Sequence, residues 1–251
     1  MIRGIYTAAA GLATAQLRLG VVSNNIANAS TPGYKQDQLP DEMGKAIDLV
    51  RYATGTDGGS IGSITLGPNV GVSQLDLTTG PLQETSNPLD MAIAGTGYFT
   101  TQAADGTTRY TRDGGFHADV DGSLRARDGS AVLDTNGQPI QLPVGADVSV
   151  AADGTILAGG NQVGQLQIVD FAAGSQLNKV GNGMFTTAAG VTPQAANGVQ
   201  LYQGYLEGSN VDMSESMVAT MNLVRAYEAN QKLLQMQDET LKSTVNDVGK
   251  A

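Results

Sequence analysis

Ile5, Leu12, Leu19 and Ile26 recur every seven residues, and Ala8, Ala15, Val22 and Ala29 follow each of them by three. This is a heptad pattern with large residues at one seam position and small ones at the other, and it predicts an amphipathic helix. The small residues let a partner helix approach closely. Thr31-Pro32-Gly33 supplies a breaker and a turn, so the helix stops near Asn28, after about 25 residues or roughly 37 Å. The other end of the chain repeats the pattern. Asp212 with Glu215 three residues on resembles a capping box. Beyond it Met213, Thr220, Tyr227, Leu234, Leu241 and Val248 keep the spacing of seven, with Met217, Val224 and Val245 four further on. Gln231 and Asp238 interrupt that second position, so the seam is apolar in its first half and polar in its second. The predicted helix is about 37 residues, roughly 55 Å long.

Between the ends the periodicity changes. Asp105-Gly106, Asp113-Gly114, Asp121-Gly122, Asp128-Gly129 and Asn136-Gly137 punctuate the chain at intervals of 7 or 8 residues, and Asp153-Gly154, Asn182-Gly183 and Asn197-Gly198 continue more sparsely. Such pairs favour the positive φ of hairpin turns. Short strand-like stretches lie between them, at Thr108–Thr111, Ser123–Ala126 and Gln165–Val169. The fold class predicted is therefore α+β. The terminal helices (residues 1–35 plus 205–251) pair as a discontinuous, coiled-coil-like assembly domain around an inserted antiparallel β domain at 81–204. Residues 36–80, rich in Gly, Thr and Ser, read as an extended connector with a short helical candidate around Met43 to Tyr52. The competing reading is a single α+β domain in which both helices pack onto the sheet.

Composition narrows the function. The 14 Lys and Arg against 24 Asp and Glu give a net charge of -10, and the basic residues are scattered singly, so nucleic acid is not the expected partner. With no Cys, neither disulfides nor thiol chemistry is available. No run of 18 or more apolar residues is present, so no membrane insertion is expected. The N-terminus is broken by Thr7, Thr14, Gln16 and Arg18 and lacks the apolar core of a cleaved secretory leader.

Candidate chemistry is sparse. Gly58-Gly59-Ser60-Ile61-Gly62 satisfies the nucleophile-elbow pattern, but that motif needs a strand before it and a helix after it, and the only histidine is His117. His117 to Asp128 partly overlays a calcium loop, with His where the first ligand should be Asp and Asp where the last should be Glu; a hairpin turn is the better reading. No catalytic, cofactor or metal site is expected. Asn24, Asn25 and Asn28 are poor helix formers crowded at a helix end. They either cap that end or hydrogen-bond neighbouring helices. Met213, Met217 and Met221 form a stripe suited to adaptable packing.

Three blocks carry a resemblance. Ser23 to Lys35, with Asn24, Asn25, Asn28, Pro32, Gly33 and Tyr34, resembles the N-terminal signature of flagellar rod and hook proteins. Asn87 to Phe99, followed by Tyr110-Thr111-Arg112-Asp113-Gly114, resembles the start of that family's β domain. Tyr202 to Val211, with Ser209 and Asn210, followed by Arg225 to Asn230 with Tyr227 and Glu228, resembles its C-terminal signature. The nearest types by length and blocks are FlgF and FlgG. The resemblance implies a structural subunit of the basal-body rod, a hollow tube that transmits torque, with partners among copies of itself, other rod proteins, the hook protein and the flagellar export apparatus. It implies a location outside the cytoplasmic membrane, reached without a cleaved leader. A hook or hook-junction protein is the alternative within the family. An extracellular β-domain adhesin is the alternative outside it, and leaves the helices without a purpose. The expected assembly seam is Ile5, Leu12, Leu19, Ile26, Met213, Met217, Val224, Tyr227, Leu234 and Leu241.

Overall fold

The computed structural model describes residues 2–43, 46–50, 60–65, 68–172, 177–188, 190–196 and 198–248. Helix α1 spans Ile2–Ala27 and α2 spans Met213–Val248, 26 and 36 residues long. Asp212 caps α2: its Oδ1 accepts from the backbone N–H groups of Ser214 (2.8 Å) and Glu215 (3.0 Å), satisfying donors that a helix start leaves free. The α1 end is released at Asn28, whose carbonyl accepts from Thr31 N, and Gly33 takes a φ of 66°.

The chain divides into two compact units. One comprises Met1–Ala27, Asp37–Asp76 and Asp212–Ala251; the other comprises Asn28–Gln36 and Leu77–Val211. The stretch expected to be a connector is thus largely part of the helical unit and contains paired strands. Asp37–Gln38 pairs with Gln74–Leu75, Asp41–Met43 with Pro68–Val70, and Ala46–Val50 with Ser60–Thr65, all antiparallel. The helical candidate around Met43 to Tyr52 is strand wherever it is described; residues 44, 45, 51 and 52 lie outside the described residues. A β-branched partner containing Ile61, Ile64 and Thr65 follows closely in sequence, and its ladder outweighs one turn of helical patterning.

In the second unit the main sheet runs His117–Ala118, Leu124–Arg125, Ala131–Val132, Tyr98–Gln102, Thr108–Thr111, Met184–Thr187, Leu177–Gly181 among the described residues, with Ile168–Asp170 also pairing Tyr98–Gln102. Phe99, Phe116, Leu124, Val132, Ile156 and Met184 form its core. Phe99 and Phe116 meet edge to face at 5.0 Å. The glycines after Asp105, Asp121, Asp128 and Asp153 all have positive φ, as the turn pattern requires. Gly114 does not share it. There the chain passes so close to Met91 O that no side chain fits, and Met91 N donates to Gly114 O.

Candidate assembly helices and a buried charge cluster

The two helices of the first unit meet along a face of small and polar residues. A Cβ at Gly4 would run into the Gln237 carboxamide, and one at Gly11 would lie 3.0 Å from Asn230 Nδ2. The glycines are seven apart and their partners seven apart in the opposite sense, so the helices run antiparallel, with an amide laid over each glycine. Two further heptads lead to Asn25 and Ser216, both buried, and Ala8 and Ala15 on the same face are buried too.

This differs from the expected seam by one position on each helix. Ala8 and Ala15 are central, but Ile5, Leu12, Leu19 and Ile26 are only half-buried and flank the contact. On α2, Tyr227, Leu234 and Leu241 are half-buried, whereas Met213, Met217 and Val224 are 41%, 54% and 40% exposed. With Met221, also exposed, they make an uncovered apolar strip along the first three turns. Periodicity alone does not say which of two adjacent faces turns toward the intramolecular partner. Glycine and alanine allow the closest backbone approach and the most dispersion contact per turn, so the small face goes inside.

Of the asparagines, Asn25 is spent within its own unit. Its Nδ2 donates to Asp37 O (2.8 Å) and its Oδ1 accepts from Asp37 N (3.0 Å), fixing the chain where it returns from the turn. Asn28 Oδ1 accepts from Thr31 Oγ1 at 3.3 Å. Asn24 and Glu228 are exposed.

The remaining signature residues lie in the second unit, around a buried charge cluster. Glu207 Oε1 accepts from Lys35 Nζ (2.6 Å) and Gly80 N (2.9 Å), and its Oε2 accepts from Arg112 Nη1 (3.0 Å). All three charged side chains are at most 2% exposed. Lys35 Nζ also donates to Thr78 O, and Arg112 Nη2 to Gly95 O at 2.7 Å, with the guanidinium 5.1 Å from the Tyr98 ring centre. Pro32 is half-buried; Gly33, Tyr34 and Ser209 are buried. Gly33 sits so tightly on the Arg112–Asp113 backbone that a Cβ would collide with it, and Gly33 N donates to Glu207 O at 2.7 Å. Asn210 Oδ1 accepts from Gln36 N at 2.8 Å. Lys179 Nζ donates to Lys35 O and lies 4.1 Å over the Tyr34 ring.

Lys35, Arg112 and Glu207 lie one in each of the three resemblance blocks but are not among the expected site residues. The available signal was a long charged side chain within two residues of a Gly and a Tyr in each block.

The other candidates do not assemble into a site. His117 is exposed and pairs with Arg125 in a strand ladder. Asp119 and Asp121 lie 2.8 and 3.9 Å from the Arg125 guanidinium, and Asp121 Oδ1 accepts from Ser123 N. Among the described residues no cluster of His, Cys, Asp or Glu is placed to hold a metal. Gly58 and Gly59 lie outside the described residues, and Ser60 begins a strand where a nucleophile elbow needs a helix.

Residues 5–35 match the family described as flagella basal body rod protein. Residues 92–158 match the flagellar hook protein FlgE/F/G D1 domain, and residues 202–247 the flagellar basal body rod FlgEFG protein C-terminal region. Lys35, Arg112 and Glu207 fall one in each matched segment. The flagellar basal-body rod protein FlgG of Bacillus subtilis is 34% identical across 98% of this chain and 99% of its own length. The rod protein FlgF of Caulobacter vibrioides is 33% identical across 100% and 99%, and FlgG of Agrobacterium fabrum 35% across 95% and 96%. These relatives are named as rod proteins, and the hook alternative is not favoured.

Proposed function

This chain belongs to the flagellar basal-body rod protein family and is a structural subunit of the rod, and from that premise we propose how it assembles. Its terminal helices pair in the manner of a coiled coil and associate with the helices of neighbouring copies, other rod proteins and the hook protein, forming a hollow tube that transmits torque. It acts without a cofactor and without catalysis. It reaches its place outside the cytoplasmic membrane through the flagellar export apparatus.

The observation that carries this reading is the uncovered strip Met213, Met217, Met221 and Val224. Four large apolar side chains on one stretch of helix lose water-exposed surface only when another element covers them, and burying the exposed half of each is worth on the order of 1 kcal/mol. Flexible methionine suits contacts with more than one kind of partner. By length and mean hydropathy (24 residues, 1.2) the α1 segment Gly4–Ala27 is apolar enough to cross a membrane. Arg18 within it, the buried Asn25 bonded to Asp37, and the small face set against α2 favour helix partners instead.

The test is electron microscopy of purified basal bodies from cells carrying a tagged copy as their sole source of the protein. Label on the rod is expected; label confined to the hook, or absent from the basal body, would sink the proposal.

A further inference from the structure

We propose that Glu207, gripped from two sides by Lys35 and Arg112, is a latch that holds the two segments leading to the terminal helices side by side. Residues 28–36 continue from α1, and residues 205–211 continue into α2. Residues 28–36 contribute no strand to the second unit. Their attachment includes backbone links (Gly33 N to Glu207 O, Asn210 N to Tyr34 O at 3.4 Å), the Gln36–Asn210 bond, the bond from Lys179 Nζ to Lys35 O, and the Lys35 side chain.

The partners of Glu207 divide the labour. Arg112 is fixed to the sheet, because Gly95 O and the Tyr98 ring orient its guanidinium independently of Glu207. Glu207 carries that fixed point to the C-terminal segment. Lys35 then ties the N-terminal segment to the same carboxylate across 172 positions of sequence, and Lys35 Nζ donates a second hydrogen bond to Thr78 O. Gly80 N completes the shell of the carboxylate. The arrangement also explains a glycine: a Cβ at Gly80 would collide with Gly208 O, so the backbone here can reach the carboxylate only as glycine. Removing the anion leaves two cations buried without a counter-charge, which is strongly destabilising. Arg112 is pinned elsewhere, so Lys35 and its segment are the part that leaves.

The chain has no Cys, so spin labels at Ser30→Cys and Val211→Cys report on these two segments in the full-length protein without interference. Pulsed dipolar spectroscopy is expected to give a narrow distance distribution in the otherwise unaltered chain. Glu207→Gln is expected to broaden it and shift it to longer distance, while amide-exchange protection at Phe99, Leu124 and Val132 stays unchanged. Lys35→Met, which keeps the Glu207–Arg112 pair, serves if Glu207→Gln does not fold and is expected to give the same shift; Lys35→Arg is expected to restore the narrow distribution. An unchanged distribution in both Glu207→Gln and Lys35→Met would overturn the latch. So would loss of core protection in step with the broadening, since the cluster would then be a pillar of the sheet. The measurement is made on the monomer, so its outcome is independent of the assembly proposal.

Discussion

The helical unit and the β unit bury themselves to very different degrees. The β unit hides Phe99, Phe116, Phe185, Leu124 and Ile156 almost completely. In α2, by contrast, Ser216 is the one described residue that is fully buried, and the α1 residues buried with it are Ala8, Ala15 and Asn25. Ordering each residue costs about 1–2 kcal/mol of backbone entropy, and a seam of Gly, Ala and amides offsets little of it. One unit buries its large apolar residues within itself, while the other leaves several of its own exposed. A subunit that must be stable alone and sticky only in an assembly can meet both needs by separating them in this way.

Substitutions sharpen the contrast. The largest expected effect is Phe99→Ala, which should destabilise the β unit by about 3–5 kcal/mol in denaturant melts, since it empties the centre of the core. Asn25→Ala should cost about 1–3 kcal/mol, because Asp37 N and O lose their partner; the readout is thermal loss of helix signal. Met217→Asp should alter monomer stability by no more than about 0.5 kcal/mol, as an exposed change does, yet abolish incorporation into the rod and motility. A Met217→Asp strain that swims normally would break the comparison, because the strip would then have no partner.

A pH titration probes the turns of the β unit. The Thr107 side chain holds the Asp105 carboxyl below its usual value, and backbone N–H groups of Ser123 and Thr155 do the same for Asp121 and Asp153. A depressed folded value means that the stabilisation is fully present above the ordinary carboxylate value of about 3.9 and is lost as pH falls through the lowered values. Asp113 opposes this, because burial pushes its carboxyl up. The denaturant midpoint of the β unit should therefore hold steady from neutral pH down to about 4 and fall below it. Smallest of all, His117→Ala should change stability by less than about 0.5 kcal/mol and leave motility intact.

Much of this was legible in the sequence. Heptads marked both helices, Asp212 marked the start of α2, and the Asp-Gly repeat marked the turns. Each of these signals is local and is fixed by backbone chemistry within a few residues. The contact between the two helices of one chain lies one position from the heptad residues because Gly4 and Gly11, which carry no hydrophobic signal, decide where those helices touch. The strands between 37 and 75 were missed because they are short and lie in polar, glycine-rich sequence without a clear alternating pattern. The charge cluster was hidden for the opposite reason. Lys, Arg and Glu are normally solvated, and nothing local to residues 35, 112 or 207 says that they will neutralise one another.

The central claim is that the β unit folds alone and the terminal helices are completed by neighbours. Amide exchange on the purified full-length monomer, read residue by residue alongside the assembled rod, tests it most directly. The expected result is strong protection at Phe99, Leu124 and Val132 in both states, with residues 217–241 of α2 exchanging freely in the monomer and becoming protected only in the rod. Equal protection of α2 and the β core in the monomer would contradict it.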